Sequence, residues 1–77
     1  MKIILYGTSH CPWCHKAREL LQEKNVKFKD INVEKYEKSK KEMIKKSGQL
    51  GVPVIDIDGK IIVGFDENEI KKYLKLK

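Results

Sequence analysis

Cys11-Pro12-Trp13-Cys14 contains both cysteines of the chain, three positions apart, shortly after the apolar run Ile3-Ile4-Leu5-Tyr6. Two thiols at that spacing, between the end of a strand and the start of a helix, form a dithiol suited to redox exchange. A structural staple is the competing use. Closing so small a ring contributes only about 2 kcal/mol before strain, and a bridge between distant segments would contribute more. A core of this size supplies about 3–5 kcal/mol, so a staple would matter, but this is a poor place for one. Reactivity is the better explanation. With Cys11 at the helix N-cap, Pro12 falls at N1, where its missing N–H is not needed. The Cys11 sulfur then meets the free backbone N–H groups of Trp13 and Cys14, and those donors and the helix dipole favour negative charge on it. Cys11 is therefore expected to be the exposed nucleophile, with Cys14 as the more shielded resolving thiol within disulfide reach.

The elements that must hold this dithiol are legible from periodicity. Lys2 to Gly7 reads as a buried strand, and Thr8 to His10 as a loop. A helix is expected from Pro12 to Lys24, with Trp13, Ala17, Leu20 and Leu21 at helical spacing and Asn25 as its stop. Val26 to Val33 reads as a second strand whose alternation shifts at Asp30-Ile31. Lys35 to Ser47 is a charged helix with a thin stripe of Tyr36, Met43 and Ile44, ended by Gly48. Val52 to Ile57 and Lys60 to Val63 read as two strands joined at Asp58-Gly59, a two-residue hairpin turn. Asp66 and Glu69 match a helix-start pattern, followed by Ile70, Tyr73 and Leu74 on one face. Met43 and Tyr73 are most simply core. The order is β-α-β-α-β-β-α, with the first two strands parallel and the last two antiparallel.

The formal net charge is +6, from seventeen basic and eleven acidic residues. Arg18 is the only arginine, and the lysines alternate with glutamates, as in Glu34-Lys35, Glu37-Lys38 and Lys41-Glu42. That pattern describes solvated helix faces rather than a phosphate footprint, so no nucleic-acid partner is expected. A mild positive field would still attract a small anionic substrate. Met1-Lys2 leads into an apolar run too short for a signal peptide, and no segment has membrane-spanning length. A cytoplasmic protein with no membrane partner is the expectation, since a reducing compartment makes a disulfide transient or catalytic. A mature secreted chain is compatible with the same residues.

These residues resemble a glutaredoxin. The family's motif is Cys-Pro-Tyr-Cys, with Trp13 here in place of the tyrosine, whereas thioredoxins usually carry Gly-Pro between the cysteines. Ser47-Gly48-Gln49-Leu50-Gly51-Val52-Pro53 is similar to the family segment that ends in Thr-Val-Pro. Gly64-Phe65-Asp66 is similar to its late glycine-plus-acid segment. The likeness spans essentially the whole chain, with the three sites in family order.

The resemblance implies a thioredoxin-like α/β fold, a four-stranded mixed sheet between helices, as one domain over residues 1–77. It implies a thiol–disulfide oxidoreductase that needs no metal and no tightly bound cofactor, with disulfide-containing proteins as substrates and a monomer as the default. It implies a cis Val52–Pro53 bond beside the dithiol, with the Val52 backbone pairing with the substrate's own. It implies that Phe65 and Asp66, after Gly64, hold the γ-glutamyl end of glutathione as co-substrate; Asp66 also caps the last helix on its own account. Thr8 stands where the family often has a basic residue, and Gln49 where it often has arginine. Both positions would meet glutathione's glycine carboxylate, so glutathione is expected to bind weakly, with Lys16 or Lys46 as possible compensating charges. The alternative donor is a flavoprotein reductase of the thioredoxin reductase type.

Trp13 reads either as a substrate contact or as helix-surface packing. His10 and His15 flank the motif; the simpler reading leaves both as solvated side chains of the first turn. Two other classes share Cys-x-x-Cys. Cys11 to His15 also fits covalent haem attachment, which the strand-rich pattern disfavours. A copper carrier of similar length would require a strand where Lys35–Ser47 reads as helix, and would leave Val52-Pro53 without a role.

Overall fold

Ile3-Ile4-Leu5-Tyr6-Gly7 forms β1 (Ile3–Gly7), and every residue of it is buried. A strand buried on both faces needs a covering layer on each side. The computed structural model, which describes residues 2–74, shows those layers. β1 pairs in parallel with β2 (Lys29–Asn32) on one side and antiparallel with β3 (Val54–Ile57) on the other. β4 (Lys60–Val63) pairs antiparallel with β3, giving a four-stranded sheet in the order β2-β1-β3-β4. With α1 (Pro12–Glu23), α2 (Glu37–Ser47) and α3 (Glu67–Leu74), the chain follows the expected β-α-β-α-β-β-α order.

The period-two alternation of β1 divides the core. Ile3 and Leu5 pack with Ala17, Leu20 and Leu21 of α1 and with Ile70 and Leu74 of α3. Ile4 and Tyr6 face the other way, toward Val33, Met43 and Val54. The sheet therefore lies between α1 and α3 on one face and α2 on the other. Met43 is fully buried, and Tyr73 is partly buried against the α1–α3 cluster.

The local stop signals act as expected. Asn25 takes the left-handed conformation (φ 56°) just after α1, and Gly48 (φ 72°) ends α2 with its N–H donating to the Ile44 carbonyl. Asp58 and Gly59 both have positive φ, the backbone of the turn that suits a two-residue hairpin.

Three expected boundaries are corrected. β2 covers Lys29–Asn32 and not Val26–Val33. The Val26 N–H still bonds back to the Leu21 carbonyl, so this residue belongs to the exit from α1; Val26 and Phe28 contribute packing rather than ladder bonds. The pairing then runs unbroken through Asp30-Ile31 to Asn32, with no bulge. β3 begins at Val54 rather than Val52, opposite Tyr6 near the end of β1; Pro53 has no N–H to donate to a ladder. α2 begins at Glu37, after a turn in which Asn32 accepts from the backbone of Glu34, Lys35 and Tyr36. Tyr36 is thereby placed at the N-cap and is 58% exposed, outside the stripe it was expected to join. The helical conformation of Glu37–Ser47 removes the copper-carrier topology, which needed a strand there.

Candidate active site

The dithiol lies at the first turn of α1. Cys11 is the N-cap, in extended conformation, and Pro12 opens the helix. Of the two donors expected at its sulfur, the Cys14 N–H is the one that reaches Cys11 Sγ, at 3.1 Å. A donor aimed at a cap sulfur supports negative charge there, as the helix dipole does. Both cysteines are free thiols; Cys11 is half-buried and Cys14 fully buried. Burial pushes the Cys14 thiol up to about 12. The Cys11 sulfur adds to that rise, while the Thr8 backbone and the Arg18 guanidinium act against it. The two sulfurs thus differ in access although they share one helical turn.

Gly7, at the end of β1, makes room for Cys14. A Cβ on residue 7 would stand 3.0 Å from Cys14 Sγ and 3.2 Å from its Cβ. A helix-start thiol this close to the sheet requires glycine beneath it.

A cleft of 230 Å³ opens beside the motif, lined by Trp13, Val52, Pro53, Gly64 and Phe65. The Trp13 and Phe65 rings stack with centroids 5.9 Å apart, and Lys16 Nζ lies 4.6 Å above the Trp13 ring. The Val52–Pro53 bond is cis, and the Gly64 N–H donates to the Pro53 carbonyl at 2.8 Å. That bond ties the loop before β3 to the end of β4, so segments far apart in sequence form one wall.

Five of the residues singled out from the sequence therefore converge: Trp13, Val52, Pro53, Gly64 and Phe65. Three others do not line the cleft. Thr8 lines a separate hollow with Ser9, His15, Arg18, Asp30 and Asn32. Gln49 folds back on its own loop, its amide donating to the Gly51 carbonyl and its oxygen accepting from the Gly51 N–H. Asp66 caps α3, with Oδ1 accepting from the Glu69 N–H at 3.1 Å. Of the two lysines expected to supply charge, Lys16 stands at the cleft edge, whereas Lys46 lies on the α2 face, bound to Asp56, Tyr6 and Glu42. Among the described residues no group of three or more His, Cys, Asp and Glu could hold a metal ion, and no helix is long and apolar enough to cross a membrane.

Sequence reasoning missed the surroundings of Arg18. Its guanidinium grips Asp30 of β2 with two nitrogens, and Nη1 lies 2.9 Å from His15 Nδ1. The available signal was spacing: Arg18 is four residues after Cys14, one helical turn along the same face.

Known proteins resemble this chain throughout. The family model for glutaredoxin matches residues 3–62. An uncharacterized glutaredoxin-like 8.6 kDa protein in a rubredoxin operon of Clostridium pasteurianum is 51% identical over 73 residues, covering 95% of this chain and 97% of that one. Glutaredoxin 3 of Escherichia coli K12 is 40% identical over 63 residues, covering 82% of this chain and 76% of the relative. The crystal structure of a glutaredoxin from Archaeoglobus fulgidus superimposes with a TM-score of 0.89 at 28% identity, over 95% of this chain and 85% of that one. The expected thioredoxin-like fold is the observed one.

Proposed function

The chain belongs to the glutaredoxin family of thiol–disulfide oxidoreductases, and from that premise we propose that Cys11 attacks disulfides and Cys14 resolves the product. The observation that carries the assignment is the asymmetry of the pair: a half-buried Cys11 sulfur accepting the Cys14 N–H at 3.1 Å, above a Cys14 thiol shut away from solvent. In the first step the Cys11 thiolate bonds to one sulfur of the substrate disulfide, and the other sulfur leaves as a thiolate and takes a proton. Cys14 then gives up its proton and bonds to Cys11 Sγ, and the remaining substrate thiolate departs. The substrate is reduced by two electrons and the protein holds a Cys11–Cys14 disulfide. No metal or bound cofactor takes part, one copy suffices, and a reducing cytoplasm keeps the dithiol poised.

Substrates dock in the cleft of Trp13, Val52, Pro53, Gly64 and Phe65, with the Val52 backbone facing the substrate chain. Disulfide-bearing proteins and glutathione mixed disulfides are the substrate class. Glutathione returns the electrons, with its γ-glutamyl end at Phe65 and Asp66 and its other carboxylate weakly met by Lys16. Thr8 and Gln49 supply no charge to it. A flavoprotein reductase is the second reading of the donor. It is favoured by Gln49 folding on Gly51 and by Lys46 being committed to Asp56.

Trapping tests the mechanism. Cys11→Ser abolishes disulfide reduction, and Cys14→Ser accumulates a mixed disulfide visible by mass spectrometry. Equal trapping on Cys14 in the Cys11→Ser protein overturns the assignment. The donor is decided by re-reducing the oxidised protein with glutathione and its reductase, or with NADPH and a thioredoxin reductase. Rapid reduction by the flavoprotein and none by millimolar glutathione selects the second reading.

A further inference from the structure

The hollow on the far side of the dithiol has no part in substrate docking, yet one of its lining residues, Arg18, reaches toward Cys14. It encloses 300 Å³ between Thr8, Ser9, His15, Arg18, Asp30 and Asn32. Cys14 Sγ and Arg18 Nη2 flank one spot: they lie 3.0 Å and 3.9 Å from the point where a Gly7 Cβ would stand. No side chain separates them there, because residue 7 is glycine. The guanidinium is held in place by Asp30, which accepts from two of its nitrogens, and by His15. Arg18 always donates, so His15 Nδ1 accepts; the Ser9 carbonyl always accepts, so His15 Nε2 carries the hydrogen. Both ring nitrogens of His15 are thereby engaged, one with Arg18 and one with the Ser9 carbonyl.

We infer that Arg18 is a positioning residue for the resolving step: its guanidinium, fixed by Asp30 beneath Gly7, supports the negative charge that Cys14 must carry as it attacks. The inference rests on the dithiol mechanism above. In the mixed disulfide Cys11 no longer bears charge. Cys14 gives up its proton and forms its bond to Cys11 Sγ, the substrate thiolate leaves with the electron pair, and the proton passes to that thiolate or to bulk water. The groups facing Cys14 are Cys11 and the Thr8 N–H from the motif side and Arg18 from the helix side. Asp30 and His15 act on it through Arg18. The arginine's charge opposes the burial that holds the Cys14 thiol high. The two atoms lie at most about 7 Å apart, being 3.0 Å and 3.9 Å from one point; a unit charge at that range in a medium of dielectric about 20, less the opposing charge of Asp30, changes the thiolate population by about tenfold.

A colour-releasing reagent, dithiobis(nitrobenzoate), tests this in stopped flow. Attack by Cys11 releases one coloured thiolate and resolution by Cys14 the second, so the steps appear as two phases. In Arg18→Gln the thiolate population at Cys14 falls about tenfold below the midpoint, but each thiolate attacks about threefold faster, because nucleophilicity rises with basicity. The second phase is then about threefold slower throughout the neutral range, which lies below the Cys14 midpoint. The first phase falls less than threefold. A merely structural role slows the second phase as much in Arg18→Lys as in Arg18→Gln; that result, or an unchanged rate in Arg18→Gln, overturns the inference while leaving the dithiol mechanism intact. Arg18→Lys keeps the cation and should release the second equivalent at the native rate within a factor of about two. If Arg18→Gln fails to fold by circular dichroism, a second phase about threefold slower in the lysine protein overturns the inference. Release of only one equivalent by the native protein overturns the dithiol mechanism and this inference with it.

Discussion

Lys46 Nζ lies 2.8 Å from the Asp56 carboxylate, joining α2 to the middle of β3 across the face opposite the dithiol. The same ammonium donates to the Tyr6 hydroxyl at 2.7 Å and pairs with Glu42 at 3.3 Å. Burial works against the lysine's charge, but the bonds to Asp56, Tyr6 and Glu42 outweigh it and hold the ammonium above the lysine range. The bonds from Lys46 and Tyr6 hold the Glu42 carboxyl below the usual carboxylate range.

Replacing Lys46 by methionine leaves Asp56 nearly buried without its partner, and the expected loss is about 1–2 kcal/mol, between a surface and a buried pair. A raised lysine contributes stability below its ordinary value of 10.5 and loses it as pH rises through the folded value. A depressed glutamate contributes above its ordinary value of 4.5 and loses it as pH falls through the folded value. The difference in urea midpoint between native and Lys46→Met protein is therefore flat from about pH 5 to about pH 10 and narrows below about pH 4.

Gly7→Ala drives a methyl against the Cys14 sulfur and Cβ. Overpacking of this kind costs about 1–3 kcal/mol. Urea unfolding of the reduced protein should show that loss, and release of the second equivalent from the nitrobenzoate reagent should slow with it. Native stability in the variant would mean that the first turn of α1 moves off the sheet without cost.

Trp13 is 55% exposed, so Trp13→Ala should change stability by less than about 0.5 kcal/mol. Its loss removes the aromatic wall shared with Phe65. With about 1 kcal/mol of aromatic contact at stake, KM for a disulfide-bonded peptide should rise about fivefold with a smaller change in kcat. As the only tryptophan, Trp13 also reports on the cleft directly: its fluorescence should change when substrate binds and when the dithiol is oxidised.

Asp66 carries two roles that one substitution separates. Asp66→Ala removes the cap on α3 and should cost about 1 kcal/mol in thermal or urea unfolding. Asp66→Asn keeps a capping oxygen, so stability should stay near native, while KM for glutathione rises about threefold through the lost charge. An unchanged KM in the asparagine protein would limit Asp66 to capping.

What the sequence disclosed follows from range. Asn25, Gly48, Asp58-Gly59 and Asp66 act on their immediate neighbours, so their residue types declared the helix ends, the hairpin and the cap. Cys11 and Pro12 are equally local. The cleft needed the resemblance, because Trp13, Val52 and Gly64 meet only once β3 and β4 are in place. Arg18–Asp30 and Lys46–Asp56 stayed hidden: each joins a helix to a strand, and among seventeen basic residues nothing local marks which one finds a carboxylate on a distant strand. The shortened β2 was missed because the alternation of Val26 and Phe28 reports burial, and burial came from packing beneath α1 rather than from a ladder.

The strand order leaves β2 and β4 at the margins of the sheet, and each exposes charge there: Lys29 and Asp30 on one, Lys60 on the other. A second chain adding a strand at either margin would have to desolvate those charges against its own backbone. Both outer strands are also only four residues long, which gives an invading strand little to pair with. The exposed Val63 at the end of β4 is the weak point of that defence, and a charged residue there would extend protection against aggregation along the whole margin.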